Sequence, residues 1–296
     1  MERIELRRDD VTLSCLAGGP DGGPPVLLLH GLAGSAEELR PTAAALLPRC
    51  RVVVPDQRGH GRSTRRPADL SRRAFAADAA AVVAELLGGG PVAVAGQSMG
   101  GHTAMLLAAW YPHLVDRLVM LEAGVGGTEP GDDYPARLGR WFATWPVPFA
   151  DRDAAEAFLG GTATARAWAA DLDAAADGLR PRFDADVMQA AIEPVAATAR
   201  WDEWRSITAP TLLVRGARGT CPAAQDERMR ELRPDAGYAV IPDAGHDAHL
   251  DRPAAWLELL RRGLEAVSKR GSERGEAQAS AGAAPGAPRY RGCIGV

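Results

Sequence analysis

Apolar residues along this chain follow two alternating patterns. In one they form short continuous runs; in the other they recur every three or four positions over longer stretches. The runs predict strands near 26–29, 51–54, 91–95, 117–122, 211–215 and 238–241. At the start, Ile4–Arg8 and Val11–Ala17, joined by Asp9-Asp10, predict an antiparallel hairpin. The helical spacing predicts helices over 36–47, 72–87, 101–110, 223–233 and 253–266. Strands alternating with helices in this way predict a mostly parallel sheet covered on both faces.

The alternation breaks between Gly124 and about Arg205. This stretch is alanine-rich, helical in pattern and without a strand signal, and it holds Trp141, Trp145, Trp168, Trp201 and Trp204, five of the seven tryptophans. From Lys269 onward the sequence turns to Gly, Ala, Ser, Pro and charged residues. Such a stretch carries too little apolar surface to order itself, so a disordered, dispensable tail is expected over 269–296. Its last residues, Cys293-Ile294-Gly295-Val296, imitate a prenylation box but put glycine where an aliphatic residue belongs.

At 296 residues the chain is long enough to bury a large core without disulfides or structural metals. Its net charge of -4 gives no reason to expect nucleic acid or an anionic membrane as partner. Cys15, Cys50, Cys221 and Cys293 show no C-x-x-C spacing, which suggests neither a zinc site nor a redox pair. No apolar leader opens the sequence, and no apolar run is long enough to span a bilayer. The expectation is a cytoplasmic protein whose partner is a small-molecule substrate.

Candidate chemistry centres on Gly96-Gln97-Ser98-Met99-Gly100, between the run Pro91–Ala95 and a helical stretch. A serine set between glycines at a strand-to-helix junction is a nucleophile elbow. The tight turn admits only small neighbours and forces the serine into a strained conformation that lifts its Oγ above the sheet. Three further motifs surround it: Leu28-Leu29-His30-Gly31-Leu32-Ala33-Gly34, the stretch from Val52 through Gly59-His60-Gly61 to Ser63, and Val240-Ile241-Pro242-Asp243-Ala244-Gly245-His246.

Together these residues resemble the α/β-hydrolase fold superfamily, in particular its small esterase, C–C hydrolase and haloperoxidase-like members, over roughly residues 2–268. The resemblance implies an α/β-hydrolase fold: a mostly parallel eight-stranded sheet flanked by helices. It implies a core of residues 1–123 and 206–268, and a helical lid over 124–205 inserted after the sixth strand.

Serine at its free pKa is a poor nucleophile and needs a base. Of the six histidines, His246 follows the last strand and completes the Ser-first, His-last order of this fold. His249 is its competitor, pointing to the lid interface or capping the helix at Pro253. His102 and His113 are read as packing or solvent-facing, and His30 and His60 as structural. On the family pattern the N–H groups of Leu32 and Met99 form the oxyanion hole.

The acid departs from the commonest pattern. Where relatives carry an aspartate after the seventh strand, this chain has Gly219, with Thr220 and Cys221 beside it. Some relatives carry the acid at the end of the sixth strand, and Glu122 stands there, closing the apolar run Leu118–Leu121. A carboxylate in that position is costly to bury unpaired; the candidate partner is His246, the alternatives Arg58 or Arg218.

The resulting expectation is a serine hydrolase that needs neither metal nor cofactor and uses Ser98, His246 and Glu122 on a small, largely apolar carboxylic ester. Trp141, Trp145 and Trp168 are the candidate substrate-binding residues of the lid; their other role would be to pack its helices together. The same machinery suits a ring-fission diketone, a lactone or a thioester. A non-hydrolytic ligand-binding protein on this fold is the alternative of another class.

Overall fold

The computed structural model describes residues 1–128 and 131–264. The tail expected over 269–296, and the end of the last expected helix, lie outside them. Glu2–Arg8 (β1) and Val11–Gly18 (β2) form an antiparallel hairpin closed by the pair Arg8 and Val11. Next come Pro25–Leu29 (β3), Arg40–Ala44 (α1), Arg51–Pro55 (β4), Arg72–Leu86 (α2), Val92–Gln97 (β5), Met99–Trp110 (α3) and Val115–Leu121 (β6).

An insertion follows β6: Tyr134–Ala143 (α4), Arg152–Phe158 (α5), Ala163–Ala170 (α6), Asp173–Ala175 (β7), Gly178–Arg180 (β8) and Ala185–Ala197 (α7). The chain then resumes with Trp201–Ser206 (α8), Thr211–Gly216 (β9), Ala223–Leu232 (α9), Gly237–Ile241 (β10), Ala248–Asp251 (α10) and a helix over 253–264 (α11).

Eight strands form one sheet in the order β1-β2-β4-β3-β5-β6-β9-β10. Pairing is parallel from β4 to β10, and antiparallel between β1 and β2 and between β2 and β4. The continuous apolar runs follow from burial on both faces. Leu27, Leu29, Val92, Val94, Leu118 and Met120 pack into the layer under α2 and α3. Their neighbours Val26, Leu28, Ala93, Ala95, Val119 and Leu121 pack on the other side with Trp256 and Leu260 of α11. This is the two-residue period of strands expressed in a doubly covered sheet. No helix among the described residues is long and apolar enough to cross a membrane.

Three details differ from the pattern read on the sequence. The helix expected over 36–47 shrinks to α1, because the Asp56 carboxylate accepts the Ala36 N–H at 2.6 Å and holds residues 36–39 in the loop after β3. The segment 124–205 contains a small antiparallel hairpin, β7–β8, turning at Gly178 with φ 139°. Finally, Trp204, grouped with the insertion by sequence, is fully buried in the main core, its indole N–H donating to the Met229 carbonyl at 2.9 Å; Trp201 packs against the same cluster.

Candidate active site

Ser98 stands between β5 and α3 at the C-terminal edge of the sheet, where open α/β sheets place their ligands. Its φ of 51° and ψ of -120° form a strained turn outside the helical and extended regions. Close packing enforces it: a Cβ on Gly100 would lie 2.3 Å from the Leu29 carbonyl oxygen and 2.4 Å from that of His30. The elbow is thereby pressed onto the loop following β3. On the other side of that contact, a Cβ on Gly31 would fall 2.1 Å from Gln97 Oε1. Ser98 is half-buried, and its hydroxyl makes no hydrogen bond among the described residues.

Two backbone donors flank the serine. Met99 is the first residue of α3, and Leu32 lies in the loop brought against the elbow. Neither N–H donates to another group among the described residues. His30 braces this loop from below: it donates from Nδ1 to the Gly31 carbonyl at 2.7 Å and accepts the Gln57 N–H on Nε2 at 2.9 Å. His60 lies buried beside it, ring centroids 5.3 Å apart.

Glu122 follows β6 directly, and β6 pairs with β5 so that Leu121 sits opposite Gln97. Its carboxylate is fully buried yet well supplied with donors. It accepts the Gly216 N–H at 2.8 Å, the Thr220 N–H at 2.9 Å and His246 Nδ1 at 3.3 Å. Burial alone would raise its pKa, but the hydrogen bonds from His246, Gly216 and Thr220 outweigh that and hold the carboxyl below its usual range. Neither arginine weighed as its partner reaches it: Arg58 pairs with Asp78, and Arg218 donates to the Asp243 carbonyl.

His246, in the loop after β10, shares its Nδ1 between Glu122 and the Thr220 hydroxyl, the latter at 2.8 Å. Nε2 is left on the far side of the ring with no partner among the described residues. Desolvation disfavours the charged imidazolium, but the Glu122 hydrogen bond and the charges of Asp247, Glu122 and Glu38 outweigh it and raise the pKa. The loop is fastened to the elbow: Gln97 Nε2 donates to the His246 carbonyl at 3.2 Å and to Asp247 Oδ1 at 3.1 Å. Asp247 also accepts the Thr164 hydroxyl of α6 at 2.7 Å, tying the insertion to this loop.

The other histidines are placed elsewhere. His249 is buried, its Nε2 on Glu38 Oε1 at 3.0 Å, and Glu38 also accepts the Trp168 indole N–H at 3.0 Å. His102 is buried against α7 and the loop after β6.

The three tryptophans pack with Phe142, Phe149, Phe158 and Phe183 into the aromatic core of the insertion. Trp145 and Trp168 border a cleft between the insertion and Ala33–Ser35, whereas Trp141 is 42% exposed and does not line it. Sequence reasoning missed Thr220, Asp247 and Glu38, whose roles depend on contacts between distant segments.

A family model described as the alpha/beta hydrolase family matches residues 26–259. The chain is 30% identical over 248 residues to the sn-1-specific diacylglycerol lipase ABHD11 of Mus musculus, covering 80% of each. It is 27% identical over 280 residues to a 2-(acetamidomethylene)succinate hydrolase of Mesorhizobium japonicum, covering 89% of this chain and 95% of that one. A crystal structure of E-2-(acetamidomethylene)succinate hydrolase superposes with a TM-score of 0.77 at 27% identity, over 89% of this chain and all of that one, 100%.

Proposed function

The chain belongs to the α/β-hydrolase family, and we propose that it is a serine hydrolase that cleaves a small carboxylic ester through an acyl-enzyme. The observation carrying this is the His246–Glu122 hydrogen bond, made in a loop that is itself bonded to the Ser98 elbow through Gln97.

The steps follow from the geometry. Ser98 Oγ attacks the ester carbonyl carbon while His246 Nε2 takes the hydroxyl proton. Glu122 holds the imidazole in the tautomer with its proton on Nδ1, and the N–H groups of Gly216 and Thr220 keep that carboxylate ionised. The carbonyl oxygen becomes an oxyanion and is met by the unengaged N–H groups of Met99 and Leu32. His246 then protonates the departing alcohol. Water, giving its proton to His246, attacks the acyl carbon, and His246 passes that proton to the departing Ser98 Oγ as the acid is released. Ser98 and His246 share no hydrogen bond before substrate arrives; such bonds commonly tighten only in the substrate complex. The insertion acts as the lid, and Trp145 and Trp168 supply apolar wall on the side of Ala33–Ser35.

Kinship with a protein named as a diacylglycerol lipase supports an acyl ester. Kinship with one named as a 2-(acetamidomethylene)succinate hydrolase supports a second reading, a substrate that carries carboxylates. A fluorophosphonate probe tests the serine: labelling is expected in the native protein and lost in Ser98→Ala. A panel of p-nitrophenyl esters, extended with succinate half-esters, then separates the two substrate readings. No labelling and no turnover would leave a ligand-binding protein.

A further inference from the structure

Among the described residues four arginines are buried: Arg58, Arg72, Arg215 and Arg233. Three have a carboxylate to match: Arg58 meets Asp78 at 2.8 Å, Arg215 meets Asp226 at 2.5 Å and Arg233 meets Asp235 at 2.6 Å. Arg72, 1% exposed, has no carboxylate partner among the described residues. Its Nη2 donates to the Met99 carbonyl at 3.3 Å and to the Thr103 hydroxyl, both neutral acceptors. Among the described residues Nε and Nη1 have no hydrogen-bond partner, and the guanidinium lies 4.4 Å from the Phe75 ring centroid. A buried cation with no counter-ion is strongly destabilising. Burial, with the charge of Arg200, pulls its pKa down only to about 9, so it stays cationic at neutral pH.

Where that charge sits matters. Arg72 opens α2 and reaches the first turn of α3, whose first residue follows Ser98. From Thr103 the hydrogen bonds continue: its hydroxyl donates to Gln57 Oε1 at 2.9 Å, and Gln57 Nε2 donates to the His30 carbonyl at 2.7 Å. His30 precedes the Gly31-Leu32 turn. One guanidinium therefore touches the Met99 carbonyl directly, one peptide unit past the Met99 N–H, and reaches the Leu32 loop through Thr103, Gln57 and His30. Phe75, Met99, Ile192 and the half-buried Leu32 form one apolar cluster around this network. In a dry setting of that kind an uncancelled charge acts over a longer range than in water.

We propose that Arg72 is a positioning residue that braces both oxyanion donors and holds a positive charge behind them, favouring the tetrahedral intermediate over the bound ester. The proposal rests on the serine-hydrolase reading and sharpens it. Other buried groups nearby do not duplicate this charge. His60 and His102 are held neutral, first by burial and then by neighbouring charge, Arg72 included.

The experiment compares the native protein with Arg72→Met and Arg72→Lys on an ester that turns over, with Ser98 labelling by fluorophosphonate as the reference. Arg72→Met is expected to keep or raise Tm, since a buried charge is exchanged for apolar volume. It should lower kcat about tenfold to a hundredfold, leave KM within about twofold, and weaken a trifluoromethyl ketone, which adds to serine as a tetrahedral anion, by the factor lost in kcat. Arg72→Lys should recover part of both.

Native kcat in a folded Arg72→Met variant would overturn the proposal. So would a rise in KM confined to carboxylate-bearing esters, which would make Arg72 a substrate anchor. A fall in Tm and kcat that Arg72→Lys restores together would make it a structural residue. Should Arg72→Met not fold, Thr103→Val keeps the charge and cuts the chain to Gln57. A lower kcat at constant KM is then expected, and native kcat would count against the proposal. Failure of the native protein to label at Ser98 removes the serine-hydrolase reading itself, a result separate from all of these.

Discussion

The carboxylate of Glu122 fills the space that a side chain on Gly219 would need. A Cβ at position 219 would lie 2.2 Å from Glu122 Oε1 and 2.4 Å from its carboxyl carbon. Residue 219 is the slot after the seventh core strand in which the resemblance expects an aspartate. The two positions compete for one volume beside His246, so a carboxylate arriving from β6 requires a glycine on the loop after β9.

That competition makes the exchange testable. Glu122→Gly alone is expected to lower kcat by about a thousandfold to ten-thousandfold. Gly219→Asp alone should also be inactive, because it forces two carboxylates into one buried space. The double variant, with glycine at 122 and aspartate at 219, should exceed either single variant in kcat/KM by at least about tenfold. Losses that simply multiply in this double-mutant cycle would refute the shared-volume account.

The pH dependence follows from the same pair. His246 titrates above its ordinary value of 6.5, and Glu122 below its ordinary 4.5. In the proposed mechanism His246 acts as a neutral base, so the acid limb of kcat/KM should lie above pH 6.5 and move down in Glu122→Gln. Stability runs the other way. A raised histidine stabilises the fold fully below its unfolded pKa and loses that contribution as pH rises through the folded value. A depressed carboxylate contributes above its unfolded pKa and loses it as pH falls through the folded value. The Tm difference between native protein and Glu122→Gln should therefore be largest between pH 4.5 and 6.5, acid of the activity optimum. A Tm difference that grows from pH 6.5 to 9 would contradict this.

Much of the core was legible because its signals are local. The runs Val26–Leu29 and Val92–Ala95 have the length and composition of strands covered on both sides, and Ser98 is marked by glycines two positions away. Glu122 was legible for a different reason: a carboxylate ending an apolar run needs a partner, and the usual slot was empty of acid. The hairpin β7–β8 was not legible, since its three-residue strands are exposed or half-exposed and show no alternation. Nor was Trp204, whose place depends on Met229 of α9 rather than on its own helix. Arg72 and the Glu38–His249 pair were invisible because their meaning lies in which partners are absent or 211 residues away.

Trp168 borders the cleft, and its indole N–H also ties the insertion to Glu38. Trp168→Phe keeps the ring packing and removes one donor from a buried carboxylate, at a cost of about 1–3 kcal/mol. In a domain of this size each kcal/mol lowers Tm by about 2–4 °C. A drop of a few degrees is expected by differential scanning calorimetry, with kcat on small esters little changed. An unaltered Tm would mean that the Glu38 contact does not hold the insertion.

Asp247 carries two roles that single substitutions can separate. Its Oδ1 accepts from Gln97 at the elbow and its Oδ2 from Thr164 at the start of α6, so it joins the insertion to the serine's own turn. Its charge also helps to raise the His246 pKa. Thr164→Val keeps the charge and cuts the tether. KM is then expected to rise, by about twofold to tenfold for the loss of one hydrogen bond to a charged group, with the acid limb unmoved. Asp247→Asn keeps an acceptor and removes the charge, so the acid limb should move down while KM stays near native. Both variants shifting KM and the acid limb together would show that docking of the insertion, rather than the charge, sets the titration of His246.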